Sequence, residues 1–147
     1  MTVSDGSSKP PRFAADEPEL ALKAYYRAAA QYGESVDVLS AIGSANLALG
    51  RLGQAEQILR RAIEADENFV PAWNNLGVVL METGEVAEAS RVFKTAFALD
   101  SGQSDSIREN LRLALAKVEN PAYDAGNEEK FALVRRGQGE YLLITKH

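Results

Sequence analysis

A shift of 34 residues brings this sequence into register with itself, and this period constrains the fold more than any other feature. Gly43 then aligns with Gly77, and Gly50 aligns with Gly84. The further aligned pairs are Leu39 with Trp73, Ile42 with Leu76, Ala55 with Ala89, Leu59 with Phe93, and Ala62 with Ala96. A period of this length is typical of arrays in which each repeat is one small unit that stacks on the next.

Each repeat contains two stretches with the apolar spacing of a helix, separated by a glycine. The predicted helices are 36–49 and 53–66 in one repeat, and 71–83 and 86–100 in the next. Gly50 and Gly84 follow the first helix of each repeat, where a residue in the left-handed conformation commonly ends a helix. The chain is therefore predicted to fold as antiparallel helix pairs.

Gly43 and Gly77 lie inside the first helices, where glycine costs about 1 kcal/mol relative to alanine. A helix accepts this cost when a neighbouring helix must approach closely. We therefore expect these glycines to face Ala55 and Ala89 on the second helices. Larger side chains should fill the wider gaps, namely Trp73, Leu59 and Phe93.

The period and the residues Trp73, Leu76, Gly77, Gly84, Ala89, Phe93 and Ala96 resemble the tetratricopeptide repeat (TPR) family. The resemblance implies an all-α array of helix-turn-helix repeats. It covers a TPR domain at 17–119, which consists of a capping helix at 17–33, repeats at 36–69 and 70–103, and a second capping helix at 104–119. Ser101 and Glu67 depart from the pattern, because the family usually has proline at these positions.

The two ends of the chain differ from the repeats. Residues 1–16 carry Ser, Gly, Pro and charge without a period, and are predicted to be disordered. In the C-terminal extension, 120–147, two short apolar runs flank Gly-Gln-Gly. This pattern predicts a small β-hairpin with strands at 131–136 and 140–145, although a helix remains an alternative. Such a hairpin needs to dock on the helices as a clasp or pair with another chain, since an isolated one is only marginally stable.

The composition excludes several classes of function. The net charge is −5 and the pI is about 5.0, which argues against nucleic-acid binding. No apolar stretch is long enough for membrane insertion. The chain has no cysteine, and its one histidine is the last residue, His147. We therefore predict no catalytic residues, no metal site, no cofactor and no enzymatic activity.

The remaining class of function is binding. The resemblance to the TPR family implies a concave groove, lined by the first helix of each repeat, that holds a peptide or partner segment. The residues at the family's groove-facing positions, which we predict to form the peptide-binding groove, are Ser40, Ser44, Leu47, Asn74, Asn75, Val78, Met81, Glu82, Arg108 and Arg112.

Two of these groove positions allow more than one interpretation. Asn75 resembles the asparagine with which the family grips a peptide backbone, but it can equally bond to water or to a neighbouring helix. If it grips a peptide, Asn75→Ala should weaken binding by about 1–2 kcal/mol and leave folding nearly unchanged. Arg108 and Arg112 could hold an acidic group, or they could pair with Asp105, Glu109 or solvent.

The sequence thus predicts a non-catalytic interaction module with an adaptor or assembly role, whose partner is another protein or a peptide. The alternative is a structural protein that self-associates into a homo-oligomer. The C-terminal tail resembles those of bacterial TPR proteins linked to pilus assembly or secretion, but without a specific motif. A cytoplasmic location is the default expectation, and a periplasmic one would require a signal sequence that has been removed.

Overall fold

A computed structural model describes residues 17–121, 130–133 and 141–144 of the chain. Six helices and two strands lie in these residues. They are α1 (Pro18–Tyr32), α2 (Val36–Ala48), α3 (Leu52–Ala65), α4 (Val70–Glu82), α5 (Val86–Leu99), α6 (Asp105–Glu119), β1 (Lys130–Leu133) and β2 (Tyr141–Ile144). Each helix begins and ends within one residue of its predicted bounds. The segment predicted to be disordered, 1–16, lies outside the described residues.

The helices pack in two layers. Each helix contacts the next one along the chain, from α1 to α6. In addition, α2 contacts α4 and α4 contacts α6, so these three helices lie side by side. The largest cluster of buried apolar residues joins α3, α4, α5 and α6, and two smaller clusters pack α1 on α2 and join α2, α3 and α4. The all-helical repeat array implied by the sequence is therefore present.

Glycine ends the first helix of each repeat, as predicted. Gly50 and Gly84 have φ angles of 79° and 86°, in the left-handed region. Just beyond them, the amide of Arg51 donates to the carbonyl of Asn46 at 2.9 Å, and the amide of Glu85 donates to that of Leu80 at 2.8 Å. These bonds satisfy carbonyls that the end of a helix leaves without partners.

Gly43 and Gly77 do lie at close helix contacts, but their neighbours differ from the prediction. A Cβ atom built on Gly43 would lie 2.5 Å from Cγ of Leu59, and one on Gly77 would lie 2.7 Å from Cδ1 of Phe93. The nearest side chains are thus the large ones of the second helix, and not Ala55 and Ala89. The expectation that Leu59 and Phe93 fill the wider gaps was wrong, because each glycine makes room for one of these large, fully buried side chains.

Trp73 fills less of the interior than expected. It is only half-buried, although it packs against the largest apolar cluster. Its indole N–H donates to the carbonyl of Glu67 at 2.8 Å. The hydrogen bond fastens the start of α4 to the turn that precedes it.

The two strands form an antiparallel pair. Lys130 lies opposite Ile144, and Leu133 lies opposite Tyr141. The first strand also contacts α4 and α6. The pair falls within the segment for which the sequence predicts a hairpin with strands at 131–136 and 140–145, but residues 134–140, which would connect the strands, lie outside the described residues. The complete hairpin therefore stays a prediction.

Candidate functional site

The predicted groove residues of α4 lie on the side of the helix that faces α2 and α6. Asn74, Asn75 and Val78 have no exposed surface, while Met81 and Glu82 are half-buried. The fold brings these five residues together on one helix. Three of them are covered by other parts of the chain.

The predicted groove residues of α2 are buried as well. Ser40, Ser44 and Leu47 expose 5%, 1% and 2% of their surface. Leu47 belongs to the same apolar cluster as Val78 of α4. The adjacent faces of α2 and α4 therefore form one packed surface. We call this surface, together with the adjoining face of α6, the inner face.

A chain of side-chain hydrogen bonds runs across the inner face. Asn75 Nδ2 donates to Ser44 Oγ at 2.8 Å, which connects α4 to α2. Asn74 Nδ2 donates to Asn75 Oδ1 at 3.1 Å. Asn110 Nδ2 donates to Asn74 Oδ1 at 2.9 Å, which connects α6 to α4. Each good hydrogen bond of this kind contributes roughly 0.5–1.5 kcal/mol, so the chain of amides holds the three helices in register.

Asn110 was missed by the sequence analysis. It exposes only 1% of its surface, yet it is polar. A signal for it was present, since Asn110 lies 34 residues after the apolar Leu76. An amide at a repeat position that is otherwise apolar must find a buried partner, because an unpaired one costs several kcal/mol.

The two arginines of α6 are exposed and paired with acids of their own helix. Arg108 donates to Asp105 Oδ1 at 2.6 Å and to the carbonyl of Gly102 at 2.9 Å. Arg112 Nε donates to Glu109 Oε1 at 3.0 Å. This bond to Arg112 lowers the pKa of the Glu109 carboxyl against the opposing effect of partial burial. The geometry therefore matches the interpretation in which these arginines pair with acids of their own helix.

The strand β1 lies against the inner face. It contacts α4 and α6, and Leu133 at its end has no exposed surface. Leu133 belongs to the same apolar cluster as Val78, Leu113 and Ala114. The C-terminal extension therefore docks on the helices through β1, which was one of the two alternatives that the sequence left open.

The described residues contain no group of three or more His, Asp or Glu side chains that could hold a metal ion. Among the same residues, every buried side-chain nitrogen or oxygen has a hydrogen-bond partner. No helix in the described part of the chain is both long and apolar enough to cross a membrane.

The sequence model of the family described as "Tetratricopeptide repeat" matches residues 12–77 and 47–106. Among curated proteins, the human and mouse tetratricopeptide repeat protein 7B are 42% identical to this chain over 53 residues. This match covers 36% of the chain but only 6% of the length of those proteins.

Solved structures show the same helical arrangement. The TPR domain of Sgt2 from Aspergillus fumigatus has a TM-score of 0.68 and 20% identity, over 84% of this chain and 82% of that one. The second TPR domain of human RPAP3, solved with the HSP70 peptide SGPTIEEVD, has a TM-score of 0.61 and 23% identity. That match covers 68% of this chain and 82% of the RPAP3 chain. At this level of identity the similarity shows the fold.

Proposed function

Because this chain belongs to the tetratricopeptide repeat family, we propose that it is a non-catalytic protein–protein interaction module. It holds a peptide or partner segment in a concave groove lined by α2, α4 and α6, and it acts as an adaptor or assembly factor. The observation that carries the proposal is the position of β1, since an extended piece of chain lies against α4 and α6. The peptide complex of the RPAP3 domain also supports it, as an example from a similar fold.

The proposal predicts that binding depends on the inner face. Peptides selected from a random display library against the full chain should lose at least about tenfold in affinity when Met81→Arg is introduced. Met81 is half-buried on α4. A charged side chain at this position would lose its water in apolar surroundings when a partner binds, and this loss costs free energy. Isothermal titration calorimetry measures the change.

The matched control is Ala98→Arg, which introduces the same side chain at an exposed position on α5. It should leave the affinity of the selected peptides unchanged. Circular dichroism checks that both variants keep their helices. Peptides that bind the Met81→Arg variant as tightly as the unmodified chain would show that the groove is not the binding site.

The alternative function, self-association into a homo-oligomer, is favoured by exposed apolar side chains at both ends of the array. Leu20 and Tyr32 of α1 expose 55% and 58% of their surface, and Val118 of α6 exposes 44%. Light scattering at increasing concentration separates the two functions. The proposed interaction module should remain a monomer, whereas a scaffold that builds homo-oligomers should gain mass with concentration.

A further inference from the structure

The segment that follows α6 returns to the array and places an apolar side chain in its core. Leu133 is fully buried, and it shares the largest apolar cluster with Val78 of α4 and with Leu113 and Ala114 of α6. Burial of a leucine side chain contributes roughly 1.5–3 kcal/mol. The burial of this side chain therefore holds β1 on the inner face. An external extended peptide would be held there by burial of the same kind.

The same repeat positions have different exposure on α4 and α6. Asn74 and Val78 are fully buried, while Arg108 and Arg112, each 34 residues further on, are exposed. α6 is contacted by α4, α5 and β1 and has no following helix among the described residues, whereas α4 is packed between α2 and α6 and is also contacted by β1. β1 thus lies beside both α4 and α6, and its Leu133 shares a buried cluster with Val78, one of the predicted groove positions.

The contact of β1 is of a kind that another segment can replace. β1 and β2 have four residues each and form a two-stranded sheet, which by itself is only marginally stable. The connection from α6 is short in sequence, and a segment tethered by a short linker has an effective concentration on the order of millimolar. A free partner must compete with this tethered segment.

We propose that β1 is an internal ligand of the groove, and that the external partner is an extended segment with an apolar side chain in the place of Leu133. This inference rests on the proposed function, because it names the partner class of the same groove. The apolar neighbours of Leu133 select an apolar side chain. Arg108 and Arg112 pair with acids of α6 at exposed positions, and neither belongs to the apolar cluster that contains Leu133.

The absence of cysteine in the chain permits a direct test of whether β1 covers the groove. The reporter is Val78→Cys, whose thiol should react slowly with a thiol reagent while β1 is docked. Adding Leu133→Asp should raise the reaction rate at least about tenfold, because a carboxylate is not tolerated in the apolar cluster and β1 undocks. Leu133→Ala, a milder change, should raise the rate less.

Two controls separate undocking from unfolding. Ala89→Cys places a thiol at a fully buried position between helices, and this thiol should stay protected when Leu133→Asp is added. Leu20→Asp makes the same replacement at an exposed site and should not change the reactivity of the thiol introduced by Val78→Cys. The inference is overturned if the thiol introduced by Val78→Cys stays protected when Leu133→Asp is added. This holds whether light scattering shows that variant to be a monomer or a dimer. It is also overturned if the thiol of Ala89→Cys becomes reactive, since β1 would then hold the fold together.

The class of partner is tested with a synthetic peptide of residues 128–136 added to the full chain. Its affinity for the Leu133→Asp variant should exceed that for the unmodified chain at least about tenfold, because the groove is vacant in the variant. The same peptide carrying Leu133→Asp should not bind. Equal binding to both chains, or none to the variant, overturns the inference. The proposed function is tested separately. It fails if a random display library yields no peptide that binds the unmodified chain or the Leu133→Asp variant.

Discussion

Replacing Gly77 with leucine is expected to lower the free energy of unfolding by about 3 kcal/mol or more, the upper end of what overpacking costs. A Cβ atom alone would lie 2.7 Å from Cδ1 and 2.8 Å from Cζ of Phe93. Phe93 is fully buried, so a shift of its ring must displace the side chains that pack around it. The larger side chain must therefore separate α4 from α5. Chemical denaturation followed by circular dichroism measures the loss.

Two alanine variants provide matched controls for Gly77→Leu. Gly77→Ala gains about 1 kcal/mol in helix propensity, but it should still destabilise the protein because of the contact with Phe93. Gly53→Ala makes the same replacement in α3, where an added Cβ meets no atom within 4 Å. It should stabilise the protein by up to about 1 kcal/mol. An unchanged melting temperature for Gly77→Leu would contradict the account of a close helix crossing.

The helices could be predicted from the sequence because the information that defines them is local and repeated. Each apolar stretch has helical spacing, and Gly50 and Gly84 mark where the first helices end. Which side chains meet across a helix pair depends on the crossing angle and the axial offset of the helices. The period does not contain these quantities. Gly77 was therefore placed at a close contact correctly, but Phe93, which was expected to fill a wider gap, is its nearest neighbour.

Which of the candidate side chains lie together could be predicted from the sequence, but their burial could not. The family resemblance identified Ser44 and Asn75, which the structure brings within 2.8 Å of each other. Both are buried where α2, α4 and α6 stack, which brings together residues far apart in the chain. No local pattern encodes such contacts. Asn110 was missed although the sequence contains a signal for it. Its polar side chain stands at a repeat position that is apolar in the previous repeat.

The burial of Asn75 changes the expected effect of its removal. The sequence alone predicts that Asn75→Ala leaves folding nearly unchanged. In the structure, Asn75 is fully buried, donates to Ser44 and accepts from Asn74. Alanine would leave Ser44 Oγ without this donor and Asn74 Nδ2 without this acceptor, and a buried polar group deprived of its partner costs about 1–3 kcal/mol. We therefore expect Asn75→Ala to lower the free energy of unfolding by about 1–3 kcal/mol.

A double-mutant cycle assigns this loss to the hydrogen bond between α4 and α2. Ser44→Ala removes the hydroxyl that accepts from Asn75, so the double variant should cost less than the sum of the two single variants. Asn68→Ala, at an exposed position in the turn before α4, should change stability by no more than about 0.5 kcal/mol. Additive costs in the cycle would mean that the bond between Asn75 and Ser44 does not couple the helices. The contact between α2 and α4 would then be held by its apolar side chains.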